Sequence, residues 1–209
     1  MIDWDSCVLW LDSRYFSESY WWDRSRYRND GVVHGAKWKV DSFYFDGSDD
    51  YIDCGNHESL KIEDALTAEM WIKRIWTGTK LTAWKKDSYS ICYFSNNYPK
   101  FRITHDSTHY DTVASIPVTD KAWHHYVNTY DRNGDKKGHI YVDGEEVSYS
   151  QQPEVPDDGT IDVNNNSFII GKLLDSYIFR GHVLLLRLFN TAFNAGQVKL
   201  LYQLSYRGV

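Results

Sequence analysis

The chain is poor in the residues that staple or interrupt structure. Its 209 residues include three cysteines and four prolines. Cys7, Cys54 and Cys92 are odd in number and far apart, with neither the spacing of a redox pair nor that of a structural zinc site. They are expected to be reduced, packed thiols in a protein folded in a reducing cytoplasm. Basic charge is also scarce: 23 Lys and Arg against 29 Asp and Glu leave a formal net charge of −6. That balance argues against a general nucleic-acid binder, which needs a basic face to displace counterions. No apolar run approaches the roughly 18–20 residues of a membrane span; the longest lies near residues 183–186. Asp3 and Asp5 interrupt the opening MIDWDSCVLW and no basic segment precedes it, so no signal peptide is read there. No Pro- or Ser-rich linker, repeat or low-complexity run divides the chain, which is read as one domain over residues 1–209.

What is abundant is aromatic: nine Trp, sixteen Tyr and nine Phe. This content excludes disorder as the default state and suits pleated sheets, where flat side chains pack across strands. It would equally suit stacking on sugars. Short strands separated by turn residues are read at 7–11, 41–46, 51–53, 67–75, 81–86, 89–95, 100–104 and 110–114. A three-strand meander follows over 122–130, 138–143 and 146–148, then strands at 167–171 and 182–189. One helix is predicted near the end, with Asn194 and Gln197 as a capping box and Val198, Leu201 and Tyr202 on one face. Many strands and one short terminal helix predict an all-β antiparallel sandwich or jelly roll. In the strand from Trp123 to Tyr130, one set of alternate residues is expected in the core. The other is expected to form a wet, polar-aromatic recognition face.

Four stretches carry a resemblance. They are CVLWLDS with DRSRYRNDGVVHGAKW (23–38); YFDGSDDYIDCG (44–55) leading into ALTAEMWIK; WHHYVNTYDRNGDKKGHIYVDGEEV (123–147); and FIIGKLLDSYIFRGHVLLLRLFNTAFNAGQVKLLY (168–202). The second segment of the first stretch is similar to the pattern D-x-S-x-x-x-N-x-G-x-x-x-G-A-x-W. Together, and in this order, they resemble the laminin-G-like, pentraxin-related jelly rolls of the concanavalin A-like lectin/glucanase superfamily. The resemblance implies a two-sheet jelly-roll sandwich with ligands on a curved face or at the loop rim. Such a fold hosts glycan binders, protein binders, glycosidases and structural pieces alike.

Family members often hold calcium with loop carboxylates, which implies Asp46, Asp50 and Asp175 as ligands here. Leu173 and Leu174 stand where pentraxins carry an acid and an amide, and residues 183–186 read Val-Leu-Leu-Leu in place of the family's frequent I-D-E-V. Asp-Gly is also an ordinary turn signal. Asp131, Asn133 and Asp135 mimic the start of an EF-hand loop, but Lys136 and Val142 occupy its obligatory Gly and Glu positions, so a hairpin is expected. His105 and His109, spaced i, i+4, would converge on a helix but not on strands; His124 and His125 point to opposite faces of one strand. The histidines are therefore read as structural or surface residues. The paired carboxylates of fold-sharing glucanases, E-x-D-x-E or E-x-D-x-x-E, are missing, and the chain is read as no enzyme.

Trp10, Trp38, Trp71 and Trp123 are expected in the core. Trp21, Trp22, Trp76 and Tyr98, with Asn96 and Asn97, are the expected ligand-binding set, since a pyranose stacks its apolar face on a ring while its hydroxyls bond amides. The resulting expectation is a non-catalytic, lectin-like recognition or adhesion module that binds a glycan or a protein surface. Display on a larger assembly such as a phage or virus particle fits this reading. The alternative is a purely structural decoration protein, homo-oligomeric or part of a larger assembly, without a glycan site.

Overall fold

The computed structural model describes residues 1–75, 80–173 and 177–205. Among them are nineteen strands, two single-turn 3-10 helices and one α-helix, Ala195–Ser205. The expected antiparallel jelly roll is present. One layer runs Gly31–His34, Tyr51–Asp53, Phe168–Ile170, Lys80–Lys85, Tyr89–Ser95, Tyr98–His105, Thr108–Ala114 and Tyr149–Gln151, each hydrogen-bonded to the next. The other centres on Arg180–Phe189, flanked by Ala65–Arg74, then Trp123–Asp131, His139–Val142 and Glu145–Glu146. Its opposite edge pairs with Ser42–Asp46 and Cys7–Phe16. Cys7–Phe16 also pairs with Tyr20–Asp23, which pairs with Gly31–His34 and so carries the ladder round into the first layer.

Large side chains fill the space between the layers, among them Phe43, Phe94, Phe101, Tyr126 and Phe168, all essentially buried. Phe94 meets Tyr126 edge-on at 5.4 Å, an arrangement favoured by the aromatic quadrupole. All three cysteines are buried and free. Burial raises their pKa, to about 12 for Cys7, which leaves them unreactive thiols.

The D-x-S-x-x-x-N segment is a brace for the fold. The fully buried Asp23 carboxylate accepts from the Trp10, Ser25 and Asn29 amides and the Ser25 hydroxyl. Asn29 Nδ2 then donates to the Val8 carbonyl. Two of the segment's glycines are there for space. A Cβ at Gly31 would sit 2.5 Å from Ile52, and one at Gly35, where φ is 78°, would sit 2.3 Å from Asp50 Oδ1.

The predicted capping box forms reciprocally. Gln197 N donates to Asn194 Oδ1 and Asn194 N to Gln197 Oε1, both at 3.0 Å. The helix lays Val198 and Leu201 on the outer side of the second layer, with Tyr202 stacked on Trp71. This overturns the expected wet face on Trp123–Asp131: from His125 to Tyr130 both sets of alternate residues are buried, one by the opposing layer and the other by the helix. Trp71 is core as expected, and Trp10 and Trp123 are half-buried. Trp38 is not core: it is 42% exposed, stacked on Phe16 at 4.9 Å with its indole N–H on the Ser13 carbonyl.

Candidate functional site

Among the described residues no helix lies over the outer side of the first layer. In this sheet Phe94, Phe101 and Ile103 point into the core, so their neighbours Tyr93, Arg102 and Thr104 point outward. These outward residues, with Trp84, His109 and Tyr177, line a groove of about 280 Å³ closed at one end by the 86–88 turn. Trp84, Tyr93 and Tyr177 are half-buried, with Tyr93 edge-on to Tyr177 at 6.2 Å. The Trp84 indole N–H donates to the Lys172 carbonyl, fixing the ring.

Charge is arranged along the same face. Arg102 grips Asp111 bidentately, Nε to Oδ1 at 2.6 Å and Nη2 to Oδ2 at 2.9 Å, and Lys100 Nζ reaches the same carboxylate at 2.9 Å. Burial opposes ionisation of Asp111, but the hydrogen bonds and charges of Arg102 and Lys100 outweigh it and hold its pKa below the usual carboxylate value. One anion thus faces two cations, leaving a positive excess. Desolvation raises the Tyr93 pKa, so its hydroxyl remains a donor at neutral pH. Lys85 borders the groove and is nearly fully buried, its ammonium on the Asn166 carbonyl. Desolvation, then the neighbouring Lys61, lowers its pKa to about 8. Ser88 contributes a buried hydroxyl oxygen with no partner among the described residues, a polar group in the groove wall that a ligand can satisfy.

The structure scatters the expected binding residues. Tyr98 lies on the same outward face as Lys100 and Arg102 and lines a second depression with Asn96, Ser95, Val113 and Ser150, so these two residues mark the far end of the groove's face. Asn96 and Asn97 have φ of 50° and 72° and form the turn of the hairpin, a conformation Asn tolerates better than most residues. Trp21 is fully buried against Phe43 and presents no ring to solvent. Its strand alternates, so Trp22 faces outward, 39% exposed and stacked on Tyr20 at 5.0 Å, away from the groove's strands. Trp76 and Asp175 lie outside the described residues. Asp46 and Asp50 do converge, with Asp49 as third partner, their carboxylate oxygens lying within 4.8 Å of one another. Sequence reasoning missed Trp84, Tyr93 and Arg102. Their outward alternation was the available signal, but only the pairing of three hairpin strands shows that they share one face.

A laminin G-type family model, described as the concanavalin A-like lectin/glucanases superfamily, matches residues 46–199. No curated protein matches the sequence. The fold superposes on the binding domain of Paraclostridial Mosquitocidal Protein 1 with a TM-score of 0.72 at 14% identity, over 95% of this chain and 52% of that one. It superposes on a structure of botulinum neurotoxin type C, whose cell entry depends on two ganglioside molecules, with a TM-score of 0.72 at 14% identity, over 97% and 52%. A Trypanosoma rangeli sialidase matches with a TM-score of 0.65 at 18% identity, over 93% of this chain and 32% of that one. These likenesses are of fold, and the chain spans about half the length of the toxin chains.

Proposed function

The chain belongs to the concanavalin A-like lectin/glucanase superfamily, and from that premise we propose that it is a non-catalytic recognition module that binds a glycan on the uncovered face of its first layer. The observation that carries the reading is the groove itself, with three half-buried rings, a serine hydroxyl that has no partner among the described residues, and Arg102, beside which Lys100 and their shared carboxylate lie on the same face. Rings offer faces for pyranose stacking, and Arg102 with Lys100 favours a sugar bearing a negative group. Asp111, locked between two cations with a lowered pKa, is unsuited to be a general acid. The matched toxin structures include binding domains, in keeping with a binding role. On a glycan array the protein should retain at least one acidic glycan, and Tyr93→Ala should weaken that binding about tenfold or more, the loss of one stacking ring. A blank array sinks the reading.

Calcium belongs to the same proposal, held by Asp46, Asp49 and Asp50. What supports it is the convergence of the carboxylates and the raised pKa of Asp50. Burial is the largest cause, and the charges of Asp46 and Asp49 add to it against the Asp46 amide, a strain that a cation relieves. Millimolar CaCl2 should then raise the Tm of the wild type and not of Asp46→Asn.

A second reading, an assembly component, is favoured by one observation. Tyr20, Trp22 and Val32 lie exposed together on paired strands. If they contact a second copy, light scattering should show a multimer that Trp22→Ser dissociates.

A further inference from the structure

We propose that His105, Asp106 and Asp162 form a binding site for a divalent transition-metal ion of the zinc type, independent of the groove and of the calcium reading. Strands Tyr98–His105 and Thr108–Ala114 are joined by a two-residue turn, Asp106 and Ser107, whose φ angles are 46° and 60°. Asp162, more than fifty residues away, is pinned over this turn. Its amide donates to the Thr104 carbonyl at 2.8 Å, and its carboxylate accepts from the Asp106 amide at 3.0 Å and the Ser107 amide at 2.8 Å.

The imidazole is what turns two carboxylates into a site. His105 is only 3% exposed. Its Nδ1 lies 2.8 Å from the Thr160 carbonyl, which can only accept, so Nδ1 carries the proton. Nε2 is then a bare lone pair, buried and without a hydrogen-bond partner among the described residues, with Asp106 Oδ2 at 3.8 Å. A carbonyl that orients one ring nitrogen so that the other faces a metal is the usual support of a ligating histidine. One atom from each of the three side chains lies within 4.8 Å of the others. Ligands around a tetrahedral zinc sit about 3.3 Å apart, given metal–ligand distances near 2 Å. The Asp106 side chain is 82% exposed and can swing to close that gap. One imidazole with two carboxylates suits Zn²⁺, Co²⁺ or Mn²⁺ better than Ca²⁺, which prefers oxygen alone, and water would complete the coordination. His124 and His139 also neighbour acids, but both ring nitrogens of each are already bonded to carboxylates, so neither has a nitrogen turned toward an ion.

The test is a calorimetric titration of the full chain with ZnCl2 after chelator stripping and desalting. The proposal expects one saturable site per chain, weakened about tenfold or more in Asp106→Gly and in His105→Gln. Glycine suits the left-handed backbone at Asp106, so that variant keeps the fold and decides alone should His105→Gln fail to fold. In Mn²⁺ titrations the His105 ring proton signals should broaden before those of the other histidines. Absence of saturable uptake, or uptake undiminished in Asp106→Gly, overturns the proposal.

Discussion

The two layers of this sandwich begin from the same alternation of large side chains and end differently on their outer sides. On the second layer the outward residues of Ala65–Arg74, Trp123–Asp131 and Arg180–Phe189 are sealed by the helix Ala195–Ser205. Beneath it lies a buried charge cluster. Glu69, fully buried, accepts from Arg187 Nη1 at 3.0 Å and has His125 Nε2 at 3.0 Å. Burial opposes its ionisation, but Arg187 and His125 more than compensate, and its pKa is lowered. On the first layer the outward residues are also charged and aromatic, yet among the described residues no helix covers them. Charged groups under a lid serve the fold; the same groups without one are available to a ligand.

This contrast can be broken by paired substitutions. The largest effect should come from Glu69→Ala, which leaves Arg187 buried without its anion. Breaking a buried pair in this way costs about 3–5 kcal/mol, to be read by urea denaturation, with glycan binding per folded molecule unchanged. Leu201→Ala, which opens the seam between helix and sheet, should cost about 2–5 kcal/mol. On the open face Tyr93→Ala should cost about 1 kcal/mol or less, since its ring is only half-buried, yet it should remove most glycan binding. An equal stability loss at Tyr93 and Leu201 would erase the distinction.

The smallest effect is a pH dependence at the edge of the covered layer. His124 is hydrogen-bonded to Asp143 at 2.7 Å and to Asp120 at 2.6 Å, and these bonds raise its pKa against desolvation. Its contribution is therefore fully present below the unfolded histidine value of about 6.5 and is lost as pH rises through the raised folded value. Asp120 and Asp143 have lowered pKa values, so theirs is present above about 3.9 and is lost as pH falls through the folded values. Stability from this trio should peak between about pH 4 and 6.5, and His124→Ala should flatten the decline above that window.

Features set by neighbouring residues were legible in the sequence. The strand alternation, the Asn194–Gln197 cap and the hairpin in place of an EF-hand all rest on contacts a few residues apart. Asp131 Oδ1 indeed caps the Asn133 amide, and Asp135 pairs with His139. Features set by which strand lies beside which were not. Trp21 and Trp22 are adjacent, and only the pairing of their strand decides which one faces the core. The cover on the Trp123–Asp131 face comes from a helix some seventy residues later. Glu69 takes its partners, His125 and Arg187, from two other strands, which the sequence around it does not show. The groove needed three strands and the 177–178 segment to meet, and His105 gained Asp162 from a separate loop.

The uncovered outer face of the first layer is the proposed binding face. This assignment is tested most directly by measuring glycan binding for the wild type, Tyr93→Ala and Trp22→Ser on one array, with the Tm of each. Wild type and Trp22→Ser should retain an acidic glycan, and Tyr93→Ala should lose it at nearly unchanged Tm. Binding that survives in Tyr93→Ala and disappears in Trp22→Ser would contradict the assignment.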